Sequence, residues 1–354
     1  MIKFALKWLA WIVLALIAVL AIFLIYTTVK DYKPPAQSKL HANNNDGRST
    51  LKQGEPFTVT TFNIGYAGLD KGQDFFMDGG KMSRSRSKEQ TETNLSAITS
   101  FLEDTSSDLY ILQEVDVNSS RSNHINEVKE ISDSLPEYSN VFAFNYKVPW
   151  VPVPITHPMG SVQSGLLTLS TFKGTSHTRF DLPGKENWPV QLFELDRGFI
   201  ESRFPVDNGK ELVMINLHLS AYDKGGFIRK QQLDFLGDYI EQEVEKNNYL
   251  IIGGDWNHSL PGTDATKFPT KQQYPEWLQP FPESFGPSDF QWAVDPNIPT
   301  SRALDIAYEK GVNFLAIIDG FVVSPNVEIV DVTGHDLSFE NSDHNPVTGT
   351  FILK

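Results

Sequence analysis

Polar residues recur where short apolar runs end. Asn63 closes Thr58-Val59-Thr60-Thr61-Phe62, and Gln113-Glu114 close Leu109-Tyr110-Ile111-Leu112. Asn216 and His218 interrupt the run Ile215–Leu219, while Asp255 and Asn257 follow Leu250-Ile251-Ile252-Gly253-Gly254. Asp319 follows Ile317-Ile318, and Ser342-Asp343-His344-Asn345 precedes the last apolar run. A strand end is rigid on one side and open on the other, which suits accurate placement of ligands. Any one of these is explained as a turn or cap residue; six such ends in one chain are not. Carboxylate and amide oxygens suit a hard cation, Mg2+ or Mn2+, and no His/Cys cluster of zinc spacing is present. His218 and His344 are the groups able to move a proton near neutral pH.

Other chemistries drop out. Cysteine is absent, which excludes disulfides, thiolate metal sites and a cysteine nucleophile. There is no Walker-type glycine loop, no G-x-S-x-G elbow and no G-x-G-x-x-G after a strand. Gly253-Gly254 is too short to cradle phosphates and reads as a tight turn before Asp255.

The elements that must position these residues begin beyond an apolar N-terminus. Trp8 to Val29 is a run of 22 residues without a charge, flanked by Lys3 and Lys7 before and by Lys30, Asp31 and Lys33 after. At roughly 1.5 Å per residue it spans a hydrocarbon core of about 30 Å. Residues 1–33 therefore read as an uncleaved transmembrane anchor, and the leading lysines favour an extracytoplasmic catalytic domain at the cell membrane. Residues 34–55, rich in Asn, Gln, Ser and Gly, read as a flexible linker. From 56 to 354 the pattern alternates: β-branched or apolar runs read as strands, and Lys88–Leu102 and Phe227–Val244 carry apolar residues at helical spacing. This predicts an α/β domain of two sheets packed face to face, with helices outside. Beyond Lys33 there are 26 basic and 43 acidic residues, a net charge of −17, and no basic stripe. Such a surface disfavours a long polyanion such as nucleic acid.

The ordered set Thr61-Phe62-Asn63, Gln113-Glu114-Val115, Asn216-Leu217-His218-Leu219, Gly254-Asp255-Trp256-Asn257, Ile318-Asp319-Gly320 and Ser342-Asp343-His344 closely resembles the endonuclease/exonuclease/phosphatase superfamily. That group includes secreted deoxyribonucleases, apurinic-site endonucleases, neutral sphingomyelinases and inositol polyphosphate 5-phosphatases. The resemblance covers residues 56–354 and implies a four-layered α/β sandwich with two mixed sheets, using Mg2+ or in its place Mn2+. By matching motif, Glu114 is the principal metal ligand with Asn63 beside it, and Asp343 and Asp319 contribute to the metal site or support it. His344, oriented by Asp319, contacts the scissile phosphate. Asp255 and Asn257 position or deprotonate the attacking water, and His218 stabilises the phosphate and protonates the leaving group. The implied reaction is in-line attack of water on phosphorus without a covalent intermediate.

Other residues read either way. Arg197 suits a phosphate contact or a surface ion pair. Arg229 and Gln232 suit helix packing or an exposed polar face, and His258 an exposed loop. The proline-rich, aromatic stretch from 261 to 311 is expected to overhang the cleft; Val148–Ile155 reads as an exposed apolar stretch that either touches lipid or packs as an extended loop, with packing the expectation. The anchor and the acidic surface point to a phosphodiesterase or phosphatase acting on a lipid headgroup or small phosphate ester. An anchored nuclease is the alternative, and no protein partner is inferable.

Overall fold

The structure, a computed structural model, describes residues 2–45, 50–221, 223, 225–283 and 285–354. Leu109-Tyr110-Ile111-Leu112 and Leu250-Ile251-Ile252 are apolar on both sides of the pleat because each strand is covered on two faces. Their strands lie in different sheets. One sheet has six strands in the order Val327–Gly334, Val347–Leu353, Pro56–Asn63, Leu109–Asp116, Gly160–Ser170 and Ser139–Val151. The other has seven, in the order Gln37–Lys39, Ser176–Asp181, Gly198–Pro205, Glu211–His218, Tyr249–Asp255, Asp319–Val323 and Gln291–Ala293. Each sheet holds one parallel pair, Pro56–Asn63 with Leu109–Asp116 and Glu211–His218 with Tyr249–Asp255; its other pairs are antiparallel.

An N-terminal helix, α1 (Ile2–Lys30), precedes the sheets. Two crossover helices then close the parallel pairs, α2 (Lys88–Thr105) in the first sheet and, after the short α3 (Glu127–Ser134), α4 (Phe227–Val244) in the second. Ser87 caps α2 by accepting from the Gln90 amide, and α3 starts the same way on Asn126. Leu95, Ile98 and Leu102 of α2, with Ile131 of α3, pack on the outer face of the six-stranded sheet. Leu233, Leu236 and Ile240 of α4 do so on the seven-stranded one. Between the sheets Val59, Ile111, Met214, Ile251, Phe321 and Phe351 have no exposed surface. Each is worth roughly 1.5–3 kcal/mol relative to exposure. The result is the four-layered α/β sandwich that the sequence predicts.

A buried polar contact crosses that apolar layer. Gln113 Nε2 donates to Asn216 Oδ1 at 2.9 Å, and Asn216 Nδ2 donates to the carbonyls of Leu112 and Leu167. Both residues are fully buried and fully engaged, so they fix the spacing of the two parallel pairs rather than facing a ligand.

Three expectations need correction. The stretch from 34 to 55 is not free along its described length: Gln37–Lys39 pairs with Thr178–Phe180, Asn43 bridges Asn140, and Leu51 is buried. Gln37–Lys39 is polar because it is the edge strand of its sheet, with both end residues exposed. Gly253-Gly254 is not a turn but part of strand Tyr249–Asp255. A Cβ on Gly254, whose φ is +140°, would lie 2.0 Å from the Leu217 carbonyl, so glycine admits the neighbouring parallel strand. The aromatics of the 261–311 stretch largely do not overhang the cleft: Phe281, Phe285 and Trp292 pack edge-on against the buried Trp256.

Helix α1 is long and apolar enough to cross a membrane. Its last turns touch the domain. Phe23 stacks on Phe193 with centroids 5.9 Å apart and planes 7° from parallel, and Trp188 Nε1 donates to Thr28 Oγ1 at 3.2 Å. Past the helix, Tyr32 meets Phe144 edge-on.

A buried histidine sets an acid limit on this fold. His177 is sandwiched in the seven-stranded sheet, with Nδ1 on Ser202 Oγ and, among the described residues, no partner for Nε2. Burial pushes its pKa down to about 4, against about 6.5 unfolded. The unfolded chain therefore binds the extra proton between those values, and this contribution is complete above pH 6.5 and lost as pH falls towards 4. At pH 5 the loss is about 2 kcal/mol. Denaturant unfolding of His177→Gln should show a correspondingly shallower fall in stability between pH 7 and 5 than the parent chain.

Candidate active site

The four parallel strands deliver one site residue each at their C-terminal ends: Asn63, Glu114, His218 and Asp255. Ligand sites of open α/β sheets collect at that edge. Asp319 begins the strand beside Asp255 and pairs with it in register. Its position is set by Thr300, whose hydroxyl accepts from the amides of Ile318 and Asp319. Asp343 and His344 come from the loop before the last strand. That loop is tied down by Ser342, which donates to the Asn63 carbonyl at 2.9 Å, and by a bridge from His344 to Ser301. Gly65 (φ +51°) lets the loop approach, since a Cβ there would sit 2.6 Å from Asp343 Oδ1.

Glu114 is held in a costly conformation. Its φ is +55°, the left-handed region, at an irregularity between Leu112 and Val115 in the pairing with Gly160–Ser170. For a long side chain this costs roughly 1–3 kcal/mol and is characteristic of functional positions. The bulge turns consecutive residues to opposite uses: Gln113 inward to the sheet contact, Glu114 into the cleft with 23% of its side chain exposed.

The remaining groups form one network. Asp319 Oδ2 lies 2.8 Å from His344 Nδ1. Asp255 Oδ2 is central: it accepts from Asn63 Nδ2 at 3.0 Å and lies 3.4 Å from His218 Nε2 and 3.8 Å from His344 Nε2. Asp255 Oδ1 accepts from the Asn257 amide, while Asn257 Nδ2 donates to the Leu219 carbonyl. Asn63 Nδ2 also reaches Glu114 Oε1 at 3.4 Å, and its Oδ1 accepts from the Gly65 amide. All eight residues singled out in the sequence are thus in one place.

Their charge states diverge. Burial opposes charge on His344, but the carboxylates of Asp319, Asp343 and Asp255 outweigh it and push its pKa up to about 10. His218 has no such carboxylate cage; burial, then the charges of Arg197, His344 and Arg121, keep it well below its ordinary value. Burial and the adjacent Asp319 raise Asp255 to about 7. Burial raises Asp343 to about 6, with Glu114 adding to the shift and His344 opposing it. One imidazolium, one neutral imidazole and a carboxylate poised near neutrality are a complementary acid–base set.

The donor set also fits a hard cation. Glu114, Asp343 and Asp255 line the cleft, Asp319 lies behind His344 at 2.8 Å, and among the described residues the buried Asp319 Oδ1 has no hydrogen-bond partner. Single donor atoms of Asp255, Asp319 and His344 lie within 4.8 Å of one another. His344, protonated on both nitrogens, has no lone pair to give, so Glu114 and Asp343 are the better ligands. Asn63 in this orientation presents its NH2, which holds carboxylates; ligation would need its amide reversed.

Around the network lie residues the sequence left open and one, Arg121, that it did not mark. Arg121 is buried between Asp116 (3.0 Å) and Glu114 (3.6 Å) and lies over the Tyr66 ring at 3.8 Å. Arg229 and Gln232 do not form an exposed face: Arg229 donates to the Asn257 carbonyl at 2.8 Å, and Gln232 clamps the backbone and hydroxyl of Ser220. They hold the loops after Asp255 and His218. Helical spacing marks both as inward, but nothing local shows their partners. His258 is buried against Phe281 with Nδ1 on the Trp256 carbonyl, away from the network. Arg197 lines the cleft, and among the described residues it has no carboxylate at ion-pair distance, only a 3.5 Å contact to the His218 carbonyl. Phe75, Met77, Met159, Phe193 and Leu304 make the cleft's outer wall apolar.

Comparison with known proteins gives the chain's family and its fold relatives. A UPF0294 protein of Yersinia pseudotuberculosis is 25% identical over 189 residues, 53% of this chain and 58% of that protein. The chain thus matches a little over half the length of that relative. An endonuclease/exonuclease/phosphatase from Beutenbergia cavernae aligns with a TM-score of 0.56 at 15% identity, covering 84% of this chain and 72% of that one. ANGEL2, a 2',3'-cyclic phosphatase in complex with adenosine-2',3'-vanadate, gives 0.56 at 15% identity over 89% and 99%. These two likenesses concern the fold. The sequence model of the Endonuclease/Exonuclease/phosphatase family matches residues 60–344, from the first site strand to His344. The chain belongs to the endonuclease/exonuclease/phosphatase family, named for enzymes that hydrolyse phosphate esters.

Proposed function

We propose that this chain is a divalent-metal-dependent phosphoester hydrolase, held to a membrane by α1 with its catalytic domain on the extracytoplasmic side. The observation that carries this reading is the convergence of Glu114, Asp343, Asp255, Asp319, His218 and His344 at one edge of two packed sheets. Glu114 and Asp343, steadied by Asn63, would hold Mg2+ or Mn2+. When bound, the ion supplies Lewis acidity to a phosphoryl oxygen and neutralises the carboxylate cluster.

The protein groups divide the remaining work. Asp255, with its pKa at about 7, is the base that takes a proton from water, and the Asn257 amide holds its carboxylate in place. His344, fixed by Asp319, brings a positive charge and an N–H to the phosphate and can release its proton to the leaving oxygen. His218 is neutral and so a poorer acid than its motif alone suggests; it contributes an orienting hydrogen bond. Arg197 adds a second charge for the phosphate.

The full chain in detergent should hydrolyse bis(p-nitrophenyl) phosphate only with Mg2+ or Mn2+. The test runs this ester beside phospholipid vesicles, inositol phosphates, RNA and plasmid DNA, with His344→Ala as the blank. No turnover of any of these above the blank would defeat the reading. Efficient cutting of DNA in place of the smaller esters would show that the bound metal outweighs the −17 surface and make the chain a nuclease.

A further inference from the structure

The mouth of the cleft and the apolar helix share a wall. Phe193 lines the cleft and stacks face to face on Phe23 of α1. Phe23 lies six residues inside the uncharged run that ends at Val29, a depth of about 9 Å at helical rise. If residues 8–29 occupy hydrocarbon, then Phe193 sits at the edge of the bilayer, and with it the entrance to the site. The surroundings fit such a position. Trp188 (56% exposed) and Val190 (49%) flank Phe193 on the same loop. Tyr146 links that loop to the neighbouring hairpin, its hydroxyl donating to the Phe193 carbonyl at 2.9 Å and lying 3.9 Å from Met159 Sδ. The Met159 amide in turn donates to the Val153 carbonyl at the hairpin tip, where Val153 is 44% and Ile155 91% exposed. Exposed tryptophan and aliphatic residues gathered at one rim are costly in water and suited to a lipid interface.

We propose that this rim, around Trp188-Val190 and Val153-Ile155, is a second membrane contact that seats the cleft mouth on a lipid bilayer, so that the enzyme takes phosphate esters embedded in that bilayer. The substrate half rests on the phosphoester hydrolase reading above; the docking half does not. The net charge of −17 directs the rim to zwitterionic lipid, since an anionic surface would repel the domain.

The chain has no cysteine, so single labels report unambiguously. Val190→Cys and Ile155→Cys, each carrying a nitroxide in the full chain reconstituted into phosphatidylcholine vesicles, should be more accessible to oxygen than to a water-soluble nickel chelate. Val330→Cys is the aqueous reference, exposed on the strand at the opposite edge of the six-stranded sheet from Ser139–Val151. Labels at 190 and 155 as open to nickel as the label at 330 would overturn the docking. The variant V190S/I155S should turn over a vesicle-embedded phosphate ester about 10-fold more slowly, with bis(p-nitrophenyl) phosphate turnover unchanged. An equal effect on both esters, or none on the embedded one, would overturn the substrate assignment. The nitroxide readings need no turnover, so failure of the hydrolase reading leaves them interpretable.

Discussion

Glu114→Gln is expected to lower turnover of any phosphate ester the enzyme accepts by at least about 10³-fold. It should also weaken Mn2+ binding measured by calorimetry on the unliganded protein. The substitution keeps shape and removes one charge from the most open of the four carboxylates. Its cost to folding should be small. Glu114 has only long contacts, 3.4 Å to Asn63 and 3.6 Å to Arg121, and Arg121 retains Asp116 at 3.0 Å. A companion variant separates function from fold. Glu114→Asn places at φ +55° a residue that tolerates the left-handed region. It should raise thermal stability by up to about 1 kcal/mol while remaining as inactive as the glutamine variant. Retained Mn2+ affinity in both would remove Glu114 from the metal site and leave its strained backbone without a functional reason.

The strand ends were legible because chemistry and pattern coincide there: an apolar run stops and a carboxylate, amide or imidazole follows. That pattern depends on the strand's own covering, so it worked for Leu109–Asp116 and Tyr249–Asp255, which are buried on both faces. It failed for Ser176–Asp181, whose buried positions are filled by His177, Arg179 and Phe180 and so show no apolar alternation. The edge strand Gln37–Lys39 failed for the complementary reason, being polar and half covered. At the site, the sequence pointed to every residue of the carboxylate–imidazole network but not to what its supports hold. Arg121, Arg229, Gln232 and Thr300 act through partners 5 to 28 positions away, and periodicity carries no record of a partner. Nor could residue type alone separate the two histidines. His218 and His344 have the same intrinsic pKa and different charge states, because only His344 faces three carboxylates.

That difference makes Asp319 the most informative position after Glu114. Asp319→Asn is expected to lower kcat/KM by about 10²–10⁴-fold, with the substrate's KM little changed. In combination with His344→Gln it should cost little beyond His344→Gln alone, because Asp319 acts through the imidazole. The pH profile distinguishes this from mere disruption. The charge of Asp319 holds His344 in its protonated form up to about pH 10 and helps to lift Asp255 to about 7. Without that charge the imidazolium loses its proton more easily, and the alkaline limb of kcat/KM moves to lower pH. Asp255 meanwhile ionises more easily, so the acid limb set by the general base also moves to lower pH. The whole bell should slide towards acid as its plateau drops. A damaged but otherwise unaltered site would lose height with both limbs in place, and an alkaline limb that stayed put would show that Asp319 does not set the charge on His344.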